Sequence, residues 1–557
     1  ITLGDGMLSA RLVEGELTTI AKGVDAAVPV TLDGAIGPGI VTLEAGALRW
    51  RAPGSRHPFL TVRPSGKSEA EQMRSNASGI GTKLRVRTQG RWSNVVALDS
   101  HSGPGQSLAP LSVGLGGATK ADYIALEWSD GVTQTEIDLA PGLHEIDEVQ
   151  RQLASCPVIF AWNGSEYAFV SDVLGVGGLG FFTRPGETAP PRPFERYLLR
   201  DDQLRARDGI YQIKLTEPME ENAYLDTASL TVWDLPEGVN LTLDERMGTG
   251  GPAVTGRPIF WRDAMQPVSA TDRGGNDVLA DVTNADRRAA PPGEVDARFL
   301  GLLKEPQVIT LEFETALPEN AVLLAEGWVE YGYSQTVFAA WQAGITYNPP
   351  TLEALAAGKW VSVVEGFGYP AGMPRQMAMP LDWPAGTTAL RLTSNMEIYW
   401  DDLRVVREIP QPEGAVRTVM SPEVARIGRT GFALRTDRPQ RVPHYDYRVR
   451  TPYWDAKSLR GFYSALGDVM PLVAEADGAL AIIGGGEEIH LEFEAPATVQ
   501  GLRRHLVVEF KGWAKDMDLY TADGETVGPL PEPANLTKDE RAIRDALHAR
   551  YNVRFQE

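Results

Sequence analysis

The sequence predicts an all-β chain: several β-sandwich or jelly-roll-like domains in tandem, closed by a short carboxyl-terminal helix. Three observations carry this. The 57 glycines and 39 prolines are scattered over 557 residues, which suits many short strands joined by turns. Two separate stretches, Ile309-Thr310-Leu311-Glu312-Phe313-Glu314 and Ile489-His490-Leu491-Glu492-Phe493-Glu494, alternate apolar and largely acidic residues with period two, as strands with one face in a core do. Helix signals are clear only at the end, where Thr537 and Glu540 form a capping box and Ile543, Leu547 and Tyr551 line one face.

Taken in order, residues 1–66 are a β segment of short apolar runs, Val28 to Leu32 and Ile40 to Leu43 among them. Residues 67–150 form a β module. In 151–250, Phe160-Ala161-Trp162-Asn163-Gly164-Ser165-Glu166-Tyr167-Ala168-Phe169 reads as a hairpin, because Asn-Gly supplies the positive φ angles of a tight turn. Residues 251–292 are polar, rich in Asp and broken by Gly and Pro, and read as a linker. A sandwich is expected over 293–410, ending in Met396 to Leu403, and a second over 411–557. The two alternating stretches are each followed by a Gly-Trp pair, Gly327-Trp328 and Gly512-Trp513, so they read as corresponding strands of two similar sandwiches.

The order Asn76, Gly79-Ile80-Gly81, the alternating Leu84 to Arg87, a glycine-serine stretch from Ser100 to Ser107, Gly114-Leu115-Gly116 and Glu127-Trp128-Ser129-Asp130-Gly131 resembles the ASPIC/UnbV module. That module sits at the carboxyl side of FG-GAP propellers in extracellular proteins, including the cartilage acidic protein family. Later motifs look like the long carboxyl-terminal region of uncharacterised bacterial members. They are Cys156-Pro157 with Trp162-Asn163-Gly164, Glu217 with Tyr224-Leu225-Asp226, Gly368 to Gly372, Tyr399-Trp400-Asp401, Gly467-Asp468-Val469, and Gly512-Trp513 with Lys515-Asp516. The resemblance implies an exported, β-rich protein with no established enzymatic activity. Asp5-Gly6 is similar to the tail of an FG-GAP repeat, so 1–66 reads as the remnant of a propeller end. The start at Ile1 is expected to mark a processed or partial product, with any propeller elsewhere.

Charge and motifs narrow the chemistry. A formal net charge of -21 repels phosphate backbones, so nucleic acid is not an expected partner. Cys156 is the only cysteine, which excludes an intrachain disulfide and a thiolate metal cluster. No apolar run reaches the ~18–20 residues that cross a membrane. Gly175-Val176-Gly177-Gly178-Leu179-Gly180 fits G-x-G-x-x-G, but Pro185 and the prolines after it forbid the helix that would hold a pyrophosphate. The histidines lack metal-ligand spacing and no nucleophile elbow occurs. Hence no nucleotide, haem or zinc is expected, and calcium is the one cofactor admitted. Its candidate ligands are Asp272, Asn276, Asp277 and Asp281, and Asp516, Asp518 and Asp523, clustered oxygens that miss the EF-hand pattern. Asp401-Asp402 reads first as edge or loop charge, then as calcium ligand, then as catalytic pair. Tyr331, Tyr333, Trp341 and Trp360 are candidates for a ligand surface, since aromatic rings stack on sugars and also fill cores.

The expected function is therefore non-catalytic and extracytoplasmic (secreted, cell-surface or periplasmic). The sandwich surfaces would be presented to a partner protein or a glycan, with calcium fixing loops. The alternatives are a carbohydrate-active hydrolase using an Asp/Glu pair, and an accessory subunit of a larger surface or membrane complex.

Overall fold

A computed structural model describes residues 2–4, 7–11, 17–54, 57–68, 75–98, 109–129, 133–148, 156–219, 221–248, 250–330, 332–451, 458–533 and 536–556. It is about 50% strand and 7% helical. The chain divides into two compact units, Ile1–Arg151 and Gln152–Glu557. The tandem all-β expectation holds.

In the first unit, Phe59–Ser65 pairs antiparallel with Leu111–Gly114 and parallel with Gly142–Asp147. A second sheet orders Thr133–Leu139, Ala121–Glu127, Lys83–Thr88 and Arg91–Val96. Leu60, Val62, Leu84, Val86, Ile124, Leu126, Trp128 and Ile146 fill the space between. Each such fully buried aliphatic side chain contributes about 1.5–3 kcal/mol. Phe59–Ser65 is thus part of this core, and the boundary expected at residue 66 lies before that strand. The Asn76 signature is a turn: its Oδ1 accepts from Ile80 N at 2.8 Å, and its carbonyl accepts from Gly79 N at 2.9 Å. Gly79 has φ 67, and a Cβ there would lie 2.4 Å from Pro64 O, so no other residue fits.

The second unit corrects the expected boundaries at 250 and 410. One eight-stranded sheet runs Ala433–Asp437, Pro443–Arg450, Tyr167–Asp172, Val158–Trp162, Ile210–Thr216, Glu487–Glu494, Val424–Arg429 and Gly467–Asp468. Three strands from 151–250 therefore sit between strands from 411–557 within it. The facing sheet pairs Phe194–Leu199, Leu502–Asp516, Glu221–Pro236 and Val416–Met420. Ile213, Leu215, Leu230, Val232, Ile489, Leu491, Phe493, Val508 and Phe510 pack between the two. These two segments are halves of one sandwich, here the outer sandwich, because each alone would leave an apolar sheet face in water.

The inserted sandwich lies between those halves. Its 19-residue strand Ala389–Arg407 serves two groups of partners: the first half pairs with Leu302–Glu312 and Thr351–Ala356, the second with Ala321–Glu330. Residues 251–292, expected as linker, supply the strands Pro258–Trp261 and Ser269–Asp272 and bury Val278, Val282 and Ala290 in its core.

The two Gly-Trp pairs mark the same device. Gly512 pairs with Leu225, Lys511 with Thr227, and Asp226 is the extra residue of a β-bulge. Gly327 pairs with Trp400, Glu326 with Asp402, and Asp401 is the extra residue. In both, Trp faces Tyr across the ladder: Trp513 with Tyr224, Trp328 with Tyr399. The bulge turns each extra aspartate toward loop amides. Asp401 accepts from Arg287 N at 3.0 Å and Arg288 N at 3.1 Å, and Asp226 accepts from Gly478 N at 2.8 Å.

The closing helix, Lys538–Tyr551, has the expected capping box. Leu547 and Tyr551 pack on the outer core while Ile543 is exposed.

Candidate functional site

The eight-stranded sheet turns Ile159, Ala161, Ile213, Leu215, Ile489 and Leu491 into the core. Period-two alternation forces their neighbours onto the opposite face. There the register lines up two rows. Trp162 pairs with Tyr167, and Gln212 with Glu492; Phe160 pairs with Lys214, Lys214 with His490, and His490 with Arg426.

Hydrogen bonds knit the rows together. Tyr167 OH donates to Gln212 Oε1 at 2.9 Å, and Gln212 Nε2 donates to Glu492 Oε1 at 3.2 Å. The same carboxylate meets His490 Nε2 at 2.9 Å, and that bond holds Glu492 below the usual carboxylate range. Lys214 Nζ lies 2.5 Å from Glu488 Oε1, and Tyr447 OH donates to Glu488 Oε2 at 2.8 Å. Lys214 also sits over the rings of Tyr167 at 4.7 Å and Tyr447 at 5.0 Å. Burial, with Glu488 and Glu492 nearby, pushes the Tyr167 phenol up, so it stays a neutral donor.

Two cations frame the network. Arg207 lies over Trp162 at 4.9 Å, and Arg426 is exposed beside His490. Among the described residues neither forms an ion pair with a carboxylate. The face thus joins half-buried aromatic edges, hydrogen-bond groups held at fixed register, and positive charge, in a chain whose net charge is -21.

Residues 72–148 match the family model described as ASPIC and UnbV. That stretch is similar to the ASPIC/UnbV module. No curated protein matches the chain. A two-domain protein of unknown function from Bacteroides fragilis is similar over 38% of this chain and 94% of its own, at 10% identity and TM-score 0.16. A structure of infectious bursal disease virus is similar over 91% of this chain and 77% of its own, at 9% identity and TM-score 0.08. Scores this low inform neither fold nor function. The sheet face lies in residues 152–557, outside the ASPIC/UnbV module.

The residues expected to bind ligands are placed apart from this face. Asp272 accepts from Gly274 N, Asn276 N and Asn276 Nδ2, and these bonds, the Asn276 side chain foremost, lower its pKa. Asp277 accepts from Leu279 N at 2.9 Å, and Asp281 lies in the short 3-10 turn that follows. These oxygens close their own turns. Asp516 is half-buried beside the buried Glu217 and Glu221, and desolvation raises all three carboxyls. Asp518 accepts from Tyr520 N at 2.5 Å, and Asp523 occupies a turn with φ 54. Among the described residues, no three His, Cys, Asp or Glu side chains are arranged to hold a metal ion.

Tyr331 lies outside the described residues. Tyr333 is the N-cap of the helix Ser334–Gln342. That helix carries Trp341, beside Phe338. Trp360 is covered by Arg391, 4.3 Å from its ring centre and tied to Glu353. Asp401 and Asp402 are 2% and 1% exposed on an interior strand, which corrects their reading as edge charges.

The face itself escaped the sequence reading, although its pieces were visible. The Trp162–Tyr167 hairpin and the polar positions His490 and Glu492 were legible, but nothing local brings a hairpin at 160 beside a strand at 490.

Proposed function

We propose that the chain is an extracytoplasmic binding protein whose outer sandwich takes an acidic glycan on the face built around Trp162, Tyr167, Gln212, Lys214, Tyr447, His490 and Glu492. The observation that carries the proposal is the coexistence of aromatic edges with Arg207 and Arg426, which form no ion pair among the described residues of a strongly acidic chain. Sugar rings stack their C–H faces on aromatic side chains, and uronate or sulfate groups take guanidinium donors in pairs. The ASPIC/UnbV module supports the extracytoplasmic setting, and no described helix is long and apolar enough to cross a membrane.

Binding without cleavage is favoured at this face. Glu488 and Glu492 share one strand four residues apart, about 13 Å at ~3.3 Å per residue, whereas a glycosidase pair sits at about 5–9.5 Å. Each carboxylate is also engaged, by Lys214 and Tyr447 or by Gln212 and His490.

The test is isothermal titration with uronate and sulfated oligosaccharides, with neutral dextran fragments as control. An acidic oligosaccharide is expected to bind, to weaken as NaCl rises, and to lose about tenfold or more in affinity in Trp162→Ala. Equal binding of acidic and neutral sugars, or an unaffected Trp162→Ala, overturns the proposal; a protein partner eluting from the same face in native purification would replace it.

A further inference from the structure

The seam between the outer and inserted sandwiches holds two reciprocal knots, each of two buried carboxyls and one arginine. In the first, Arg375 of the inserted sandwich donates to Glu195 Oε1 at 2.5 Å, beside Asp172, whose Oδ1 accepts from Met373 N at 3.2 Å. In the second, Arg441 of the outer sandwich meets Glu397 Oε1 at 2.8 Å and Glu330 Oε2 at 3.8 Å. Each sandwich thus lends one arginine to a carboxyl pair of the other. With both acids ionised a knot carries -1; with one proton it is neutral, the form a buried site favours.

The arginines around each knot are themselves paired. Arg192 and Glu245 lie near the first knot and form their own pair, Tyr197 lies under Arg375, and Glu221 faces Asp172. Around the second, Arg435 pairs with Asp437, and Tyr399 OH donates to Glu397. Burial, with the second carboxyl of each knot, raises Asp172 and Glu330 to about 7. Both shifts are upward, so their stabilising effect is complete below the ordinary carboxyl range and is lost as pH rises through about 7.

The second knot hangs on a strained turn. Gln440 and Arg441 have φ 58 and 57, and Gln440 clasps Ala289 through both Oε1 and Nε2. Two residues later begins Pro443–Arg450, which carries Tyr447; its neighbour, Tyr167–Asp172, carries Tyr167 and ends in the first knot.

We propose that the two knots form a proton-operated latch between the sandwiches, closed when each holds a proton and loosened when both carboxyls ionise, and that it sets the spacing of the strands bearing Tyr167 and Tyr447. Only the second clause rests on the binding face proposed above.

Hydrogen–deuterium exchange of the full chain at pH 5.5 and 8.5, corrected for intrinsic rates, tests it without any sugar. Protection of 436–447 and 372–378 is expected to fall about tenfold or more at the higher pH, and to stay at its acid level in Asp172→Asn/Glu330→Gln. Equal protection at both pH values in the unmodified chain overturns the latch, as does an unchanged drop in the variant. Should the double variant not fold, Asp172→Asn and Glu330→Gln singly must each abolish the drop at their own knot. A latch that responds while acidic-glycan affinity stays flat with pH removes the second clause alone; absence of glycan binding removes the binding face and leaves the latch.

Discussion

The two sandwiches share a bulge and use it differently. In both, a Gly-Trp pair faces Tyr-x-Asp, and the bulged aspartate holds loop amides. In the outer sandwich that aspartate, Asp226, also pairs with Lys511 at 2.5 Å and is fully buried. In the inserted one Asp401 has only backbone amides, and burial raises it to about 6. One motif therefore serves as an ion-paired anchor in one place and as a clasp on backbone amides in the other.

The largest break is expected at Asp226. Asp226→Asn leaves Lys511 charged and unpaired in a site 10% exposed, which costs about 3–5 kcal/mol. Asp401→Asn keeps one acceptor oxygen and costs about 1–2 kcal/mol. Burial raises the carboxyl at both sites, against the Lys511 ammonium at Asp226 and to about 6 at Asp401. Asp401 is shifted upward, so its favourable contribution is lost as pH rises through about 6, and Asp401→Asn should close part of its deficit between pH 5 and 7. Urea unfolding at both pH values measures this. Equal costs at the two sites would mean that the lysine adds nothing.

Next in size are the glycines. A Cβ on Gly327 would lie 2.3 Å from Tyr399 O, and one on Gly512 2.6 Å from Tyr224 O. Backbone atoms cannot yield as a side chain does, so Gly327→Ala and Gly512→Ala are each expected to cost about 3 kcal/mol. If the inserted sandwich unfolds by itself, Gly327→Ala produces a separate early transition, and Gly512→Ala lowers the whole.

How much of this was legible follows from what is local. Period-two alternation placed Ile309–Glu314 and Ile489–Glu494 on strands, and the capping box at Thr537 placed the last helix, because each depends on residues a few positions apart. The ASPIC/UnbV signature was readable for the same reason: Asn76, Gly79 and Pro64 meet within one turn and the adjacent strand. The insertion was not legible. Nothing near Ile210–Thr216 says that its partner strand begins at Glu487, since that pairing is decided by the core both sheets must cover. The candidate cation ligands failed to converge for a related reason. A run such as Asp272 to Asp281 scatters oxygens that short-range turn bonds claim first. The binding face combines strands from both halves of the outer sandwich, so only its hairpin could be read in advance.

The smallest effect sharpens the comparison most. Trp328 and Trp513 hold equivalent places, yet Trp328 stacks on Tyr399 at 5.4 Å and donates its Nε1 to Gln440 O at 2.7 Å, across the seam. Trp513 packs instead among Tyr224, Leu459, Tyr463, Leu480 and Val527, inside the outer sandwich. Replacing either with Phe removes part of an indole and should cost about 1 kcal/mol. The location of the damage should differ. Trp328→Phe leaves the Gln440 carbonyl without its donor in a turn already held at positive φ, so exchange of 438–442 should rise even at pH 5.5, where the knots are protonated. Trp513→Phe should leave that segment unchanged. If both variants loosen 438–442 alike, the seam is an extension of one core; if only Trp328→Phe does, the inserted sandwich has turned its copy of the motif outward to hold the latch.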